Sequence, residues 1–168
     1  MTETPQQYIS RIIAQLHDQD PLAVLESSPG KLAALIAGKS ESELRRQPAP
    51  GKWSMAEIIV HLAEVEIAVG YRMRMILGAN GTPIQAFDQD AWALRYPGMP
   101  VEPALEMFRV LRSANLALLR SLNSAQWEQF GMHAERGKET LKHISRLAAG
   151  HDVNHLAQLQ ALSVVGSE

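Results

Sequence analysis

The sequence predicts an all-α protein, a bundle of three or four long helices. Three observations carry that prediction. Apolar residues recur at steps of three and four along the long segments, the spacing of one helix face. Capping signals stand ahead of those segments, as in Asp20-Pro21 and Ser54 followed by Glu57. No stretch shows the strict period-two alternation of a half-buried strand.

The bulk numbers narrow the function classes. A chain of 168 residues suits one domain with a single sizeable core. Hydrophobic residues make up 46% and charged residues 20%, ordinary values for a globular protein. A formal net charge of −2 gives no electrostatic case for nucleic acid or an anionic membrane. There is no cysteine, which excludes disulfides, thiolate metal sites and a cysteine nucleophile. Histidine and carboxylate remain as metal ligands. No apolar run approaches the roughly 20 residues that span a bilayer. The first residues lack the pattern of a secretory signal, so a cytoplasmic location is expected.

In chain order, residues 5–17 carry Tyr8, Ile9, Ile12, Ile13 and Leu16 at helical spacing, a short amphipathic helix. His17 near its end suits the helix dipole. Residues 1–19 are expected to form an N-terminal helical extension, and residues 20–168 the bundle. Asp20-Pro21 opens the next helix with an N-cap and Pro at N1. Ser28-Pro29 repeats that signal, so a break or kink is expected there, and Gly38 marks a stop. Ser40 and Glu43 form a capping box that opens a short turn, and residues 48–51 read as a loop.

Ser54 caps the second long helix, whose inward face is Met55, Ile58, Leu62, Val65, Val69, Met73 and Ile76, ending near Gly78. Residues 80–101 contain Pro83, Pro97 and Pro100 and read as a long loop with one short helical turn, a place for a binding loop. Glu102-Pro103 starts the third helix, with Leu105, Phe108, Leu111, Leu118 and Leu122 inward, Asn115 in that stripe and Arg112 beside it. Residues 124–127 form a short helical turn and residues 130–138 a connection. The last helix runs from about 139 to about 164, with Leu141, Ile144, Ala148, His151, His155, Gln158 or Leu159, and Leu162 inward.

Within that helix His151 and His155 stand four apart, so they stack on one face and can converge on one metal ion. They take positions where Leu or Ile would otherwise pack. A buried imidazole leaves each unpaired nitrogen at a cost of about 1–3 kcal/mol. One reading has the two paired with backbone or carboxylate in the core. The other has them share a metal, with His61 on the flank of the second helix as third ligand. Three histidines with open positions is the arrangement of catalytic zinc and related sites.

The stretch Lys52-Trp53-Ser54-Met55-Ala56-Glu57-Ile58-Ile59-Val60-His61-Leu62-Ala63-Glu64-Val65-Glu66 resembles the helix-two signature of the DinB/YfiT-like superfamily. His151-Asp152-Val153-Asn154-His155-Leu156-Ala157-Gln158 resembles its C-terminal signature. The loop before Trp53, residues 87–90, and Gly137 with Thr140-Leu141 match its layout, so the resemblance covers roughly residues 20–162. It implies an antiparallel four-helix bundle of up-down-down-up order with a long right-handed crossover. It also implies a divalent metal, zinc or nickel, on His61, His151 and His155. Studied members of the family include metal-dependent transferases and isomerases that use low-molecular-weight thiols, and relatives are often dimeric. The resemblance therefore implies a metal-dependent enzyme of the thiol S-transferase type. Its substrate is a small molecule, its metal activates thiol or water, and it can associate as a homodimer. The competing reading is a non-catalytic, stress-associated bundle that uses the metal structurally.

Other residues carry weaker signals. Asp152 gives His-Asp-Val-Asn-His, but a zinc-protease motif needs glutamate there, and Asp is one methylene short. Asp152 instead supports a ligating histidine or forms a salt bridge at the bundle surface. Glu57 serves the capping box in preference to orienting His61. Arg112 and Asn115 face the interior, where a structural hydrogen bond is favoured over recognition of a substrate carboxylate. Glu64 and Glu66 read as solvated or paired with Arg72 or Arg74, Trp53 as packing at the bundle end, and His133 and His143 as surface or loop residues. Asp88, Asp90 and Trp92 are candidates for a pocket rim.

Overall fold

The computed structural model describes residues 3–165. Helix α1 (Pro5–Ala14) begins with a capping box between Thr4 and Gln7, with Pro at N1. Helix α2 (Pro21–Ile36) is capped by the Asp20 side chain, which accepts from the Ala23 N–H. The short α3 (Glu41–Arg45) and the long α4 (Met55–Gly78) each start with a Ser/Glu capping box. The loop that follows holds strand β1 (Thr82–Ile84), helix α5 (Gln89–Ala93) and a 3-10 turn at Tyr96–Gly98. Helix α6 (Val101–Arg120), the short α7 (Ser124–Trp127), strands β2 (Phe130–His133) and β3 (Gly137–Thr140), and helix α8 (Leu141–Val165) complete the chain.

Helices α2, α4, α6 and α8 form the bundle. Each of α2 and α4 packs against both α6 and α8. Their directions follow from two apolar clusters. The first holds Leu32, Met55, Ile58, Ile59, Leu62, Ala104, Phe108 and Leu159. The second holds Val24, Leu25, Met73, Ile76, Leu116, Leu119, Leu141 and Ile144. Helices α2 and α8 therefore run from the second cluster to the first, and α4 and α6 run the opposite way. That is the up-down-down-up order. It makes α2 and α8 parallel neighbours, and likewise α4 and α6, so the connection from α4 to α6 must run back along the bundle.

The N-terminal helix α1 lies across α8. Its Ile12 and the following Leu16 are buried. The contact is close because residue 150 is glycine: a Cβ there would collide with the Ile12 carbonyl.

Four expectations fail for physical reasons. Residues 130–138 are not a plain connection. They form a hairpin with a three-residue turn at 134–136 and Gly137 at φ +78°, the geometry of a bulged hairpin loop. Strand β1 joins it in parallel, pairing Thr82 with Gly131 and Ile84 with His133. The last helix consequently starts at Leu141, because residues 137–140 are committed to β3. No break occurs at Pro29. A proline removes the N–H that would bond the carbonyl four residues back, here that of Leu25. The Arg112 Nη1 donates to the Leu25 carbonyl at 3.0 Å, so the orphan acceptor is paired and the helix runs on.

The inward face of α6 is also displaced from expectation. It consists of Val101, Ala104, Phe108, Arg112, Asn115, Leu116 and Leu119. Leu105, Leu111, Leu118 and Leu122 are only half-buried. The leucines line the edges, and two polar residues hold the centre of the face.

Candidate metal centre

Three histidines meet where α4 faces α8. His61 comes from the first two turns of α4, where Met55–Ala63 is buried on all sides. His151 and His155 come from the middle of α8. His61 Nε2 lies 3.0 Å from His151 Nε2, and His155 Nε2 lies 3.1 Å from the same atom. All three ligand atoms fall within 4.8 Å of one another, and among the described residues no fourth His, Asp or Glu joins the cluster. Two nitrogens bound tetrahedrally to one zinc at about 2.0–2.1 Å would stand about 3.3 Å apart, close to the observed spacing.

The protonation state suits a ligand set. Burial, followed by the charge of His155, drives the His61 pKa down to about 3. Burial likewise pushes His151 well below the ordinary value, with His155 and His61 adding to it. His155 is lowered by burial despite the opposing hydrogen bond to Gln158. All three are neutral imidazoles at neutral pH. A neutral Nε2 carries one proton or one in-plane lone pair. His151 Nε2 therefore cannot satisfy both neighbours, and a cation among the three lone pairs satisfies all of them.

The far sides of the rings are held. His155 Nδ1 donates to Gln158 Oε1 at 3.1 Å, which leaves its Nε2 as the lone-pair atom. His61 Nδ1 makes a long contact of 3.5 Å to the Tyr96 hydroxyl. Burial and the nearby Glu64 carboxylate hold the Tyr96 pKa above its usual value. Trp53 covers the cluster, with its ring centroid 4.8 Å from His61 and its plane stacked on His155 at 6.5 Å. Trp53 and Tyr96 thus wall the centre.

The other predicted residues divide. Glu57 belongs to the helix cap: its Oε2 accepts from both the N–H and the hydroxyl of Ser54, at 2.7 Å each. Asp152 is not at the bundle surface, and Arg112 and Asn115 make the interior hydrogen bonds favoured from sequence. Arg112 is 3% exposed and pairs with Asp152 at 2.5 Å and Glu66 at 2.9 Å. Asn115 Nδ2 donates to the other Glu66 oxygen at 2.9 Å, and Asn115 Oδ1 accepts from Arg74 at 2.7 Å. Glu66, read from sequence as solvated or paired with Arg72 or Arg74, is instead buried in this network with Arg112 and Asn115. The layer lies beside the histidines in sequence, since Asp152 follows His151, and it fixes α4, α6 and α8 together.

A cleft of about 180 Å³ has His151 in its wall. Its apolar lining includes Val65, Val69, Leu147 and Phe87, and α1 contributes Tyr8. The long loop supplies Phe87 and Gln89 to the cleft; Asp88, which also caps α5, and Trp92, which packs on Phe87, line a neighbouring cleft of about 870 Å³ that shares Arg72 and Phe87. The sheet supplies His133 and Glu139, which are 3% and 1% exposed. His133 is therefore neither surface nor loop. Apolar periodicity cannot find it, because the inward residues of β2 and β3 are Gly131, His133 and Glu139.

Connectivity and site together define a helical bundle with a candidate metal centre of three histidines. The chain belongs to the DinB superfamily, whose family model matches residues 25–159. It is 27% identical over 146 residues to a Bacillus subtilis protein named "Putative metal-dependent hydrolase YfiT", covering 84% of this chain and 82% of that one. An Oceanobacillus iheyensis relative named in the same terms is 23% identical over 140 residues, 83% of this chain and 81% of its own length. The solved structure of YfiT from Bacillus subtilis matches with a TM-score of 0.80 at 26% identity, covering 86% of this chain and 85% of that one. It is described as "a probable metal-dependent hydrolase with an unusual four-helix bundle topology".

Proposed function

We propose that the chain is a divalent-metal-dependent enzyme acting on a small molecule, with the metal on His61, His151 and His155. The observation that carries this reading is the convergence of three buried, neutral Nε2 atoms that cannot satisfy one another. Imidazole ligands suit zinc or nickel. A three-ligand site leaves positions open, as catalytic sites do. When bound, such a metal lowers the pKa of a coordinated water or thiol and makes a nucleophile at neutral pH.

The chain's own residues prepare that chemistry. Gln158 and Tyr96 fix the ring orientations from behind, and Trp53 excludes water from one side of the centre. The cleft with His151 in its wall admits substrate. The relatives named as hydrolases support water as the nucleophile, so hydrolysis is the leading reaction type. A thiol-dependent S-transfer is the second reading. It rests on the absence of cysteine, which leaves a cosubstrate as the source of any sulfur.

Metal analysis of the purified protein beside His151→Ala tests the centre: the wild type should carry metal and the variant should lose most of it. Equal stoichiometry in both sinks the assignment. Metal-loaded protein offered esters and amides, with and without low-molecular-weight thiols, separates the two reactions. Turnover without thiol indicates hydrolysis, and S-conjugates formed only with thiol indicate transfer.

A further inference from the structure

The cleft beside the histidines holds polar groups that the metal centre does not use. His133 Nδ1 accepts the Glu135 backbone N–H at 3.2 Å. The neutral ring must then carry its proton on Nε2. Burial, with Arg136 next, lowers the His133 pKa and keeps the ring neutral. That Nε2–H is a buried donor with no partner among the described residues. An unpaired buried donor costs about 1–3 kcal/mol and marks a place where something else binds.

Arg72 lines the same cleft. Its only hydrogen bond among the described residues is to the Gln85 carbonyl, at 3.1 Å, and its guanidinium lies over the Phe87 ring at 5.5 Å. It has no ion-pair partner among the described residues. Arg136, by contrast, is engaged by Glu139 through two bonds of 2.7 and 3.0 Å. That pair neutralises both members, and Glu135 is exposed at the rim. The cleft therefore presents one guanidinium with no ion-pair partner among the described residues and one unpaired imidazole N–H, beside the apolar side chains of Val65 and Val69.

We propose that Arg72 and His133 anchor a carboxylate of the substrate, with the rest of the molecule reaching along the apolar lining to His151. The planar fork of arginine matches a carboxylate bidentately. At about 180 Å³ the cleft suits a short acid or one short acidic arm of a larger molecule. This narrows the substrate class of the proposed enzyme and rests on that reading for the reactive end of the cleft. The anchor itself is metal-independent, which makes the two separable.

The probe is butyrate, with butyramide as the uncharged control, added to full-length protein stripped of metal by chelator. Nitrogen-edited NMR spectra report the Arg72 Nε–H and His133 Nε2–H signals. Butyrate should move both in a saturable way, and butyramide should move neither. Arg72→Gln should weaken butyrate binding about tenfold or more, the loss expected for charged hydrogen bonds. His133→Phe should also weaken it. Arg72 is not fully buried, so its variant keeps the test open if the His133 change unfolds the sheet. His61→Ala should lose metal and keep butyrate binding. No saturable shift in the wild type, equal binding of butyramide, or undiminished binding in Arg72→Gln each overturns the anchor. Undiminished metal content in His61→Ala overturns the metal reading and leaves the anchor standing.

Discussion

Three imidazoles held neutral in a protein interior set a pH dependence at the level of single residues. An unfolded histidine takes up its proton near pH 6.5. His61 in the folded chain resists protonation down to about pH 3. Between those values the unfolded state binds the additional proton, so stability falls as pH falls. Each histidine kept fully neutral contributes about 1.4 kcal/mol per pH unit to that slope. Metal-stripped protein should therefore unfold at lower denaturant when moved from pH 7 to 5.5, and His61→Leu should flatten the slope by one histidine's share. A slope unchanged in the variant would mean that His61 titrates normally in the fold. The histidines were legible in the sequence because they interrupt an apolar stripe at positions i and i+4. Arg112 was read as an interior residue with a structural hydrogen bond, and it is one, but its partners were not legible, and Glu66 was missed because a charged residue on a helix reads as solvated or paired nearby until its partners on other helices are known. His133 escaped for a related reason: it lies on a four-residue strand, too short for alternation to show.

Elements were legible wherever a cap and a period coincided, as at Ser54 and Asp20. The sheet was not, because Thr82–Ile84 and Gly137–Thr140 contain Pro, Gly, Lys and Glu, and β1 finds its partner β2 some fifty positions further along the chain. Where α1 crosses α8 was also hidden, although the glycine that permits it was in view. Two helical glycines make the point testable. At Gly150 an added Cβ meets the Ile12 backbone carbonyl, whereas at Gly30 nothing lies within 4 Å. Gly150→Ala should lift α1 from α8, costing about 1–3 kcal/mol as overpacking does, and should withdraw Tyr8 from the cleft. Gly30→Ala should stabilise by about 0.5–1 kcal/mol through helix propensity alone. Denaturant melts of both variants check the contrast. Similar effects at the two sites would show that α1 does not depend on a close approach at Gly150.

At the scale of the whole molecule, one side chain ties the four bundle helices together. Arg112 sits on α6 and donates to the Leu25 carbonyl on α2, to Glu66 on α4 and to Asp152 on α8. Burial opposes its charge, but the Asp152 and Glu66 carboxylates outweigh that and hold its pKa above the ordinary arginine value. In an up-down-down-up bundle α2 and α4 lie on a diagonal, as do α6 and α8. A central forked donor can span both diagonals, which a pairwise apolar contact cannot. Removing it leaves the buried Asp152 carboxylate and Leu25 carbonyl without their donor, and the Glu66 carboxylate with no counter-charge and only the Asn115 amide. Arg112→Met should cost about 3–5 kcal/mol, the usual effect of breaking a buried ion pair. Arg112→Lys should recover little, because one ammonium cannot reproduce the fork. Pro29 gives this network a separable component, since the Leu25 carbonyl is free only because residue 29 lacks an N–H. In Pro29→Ala that carbonyl regains a helical donor. Arg112→Met should then cost about 1 kcal/mol less in the Pro29→Ala background than in the natural chain, the net value of one hydrogen bond. A four-member double-mutant cycle by denaturant unfolding measures the coupling. Strict additivity would show that Arg112 holds the carboxylates alone and that Pro29 is tolerated in α2 for some other reason.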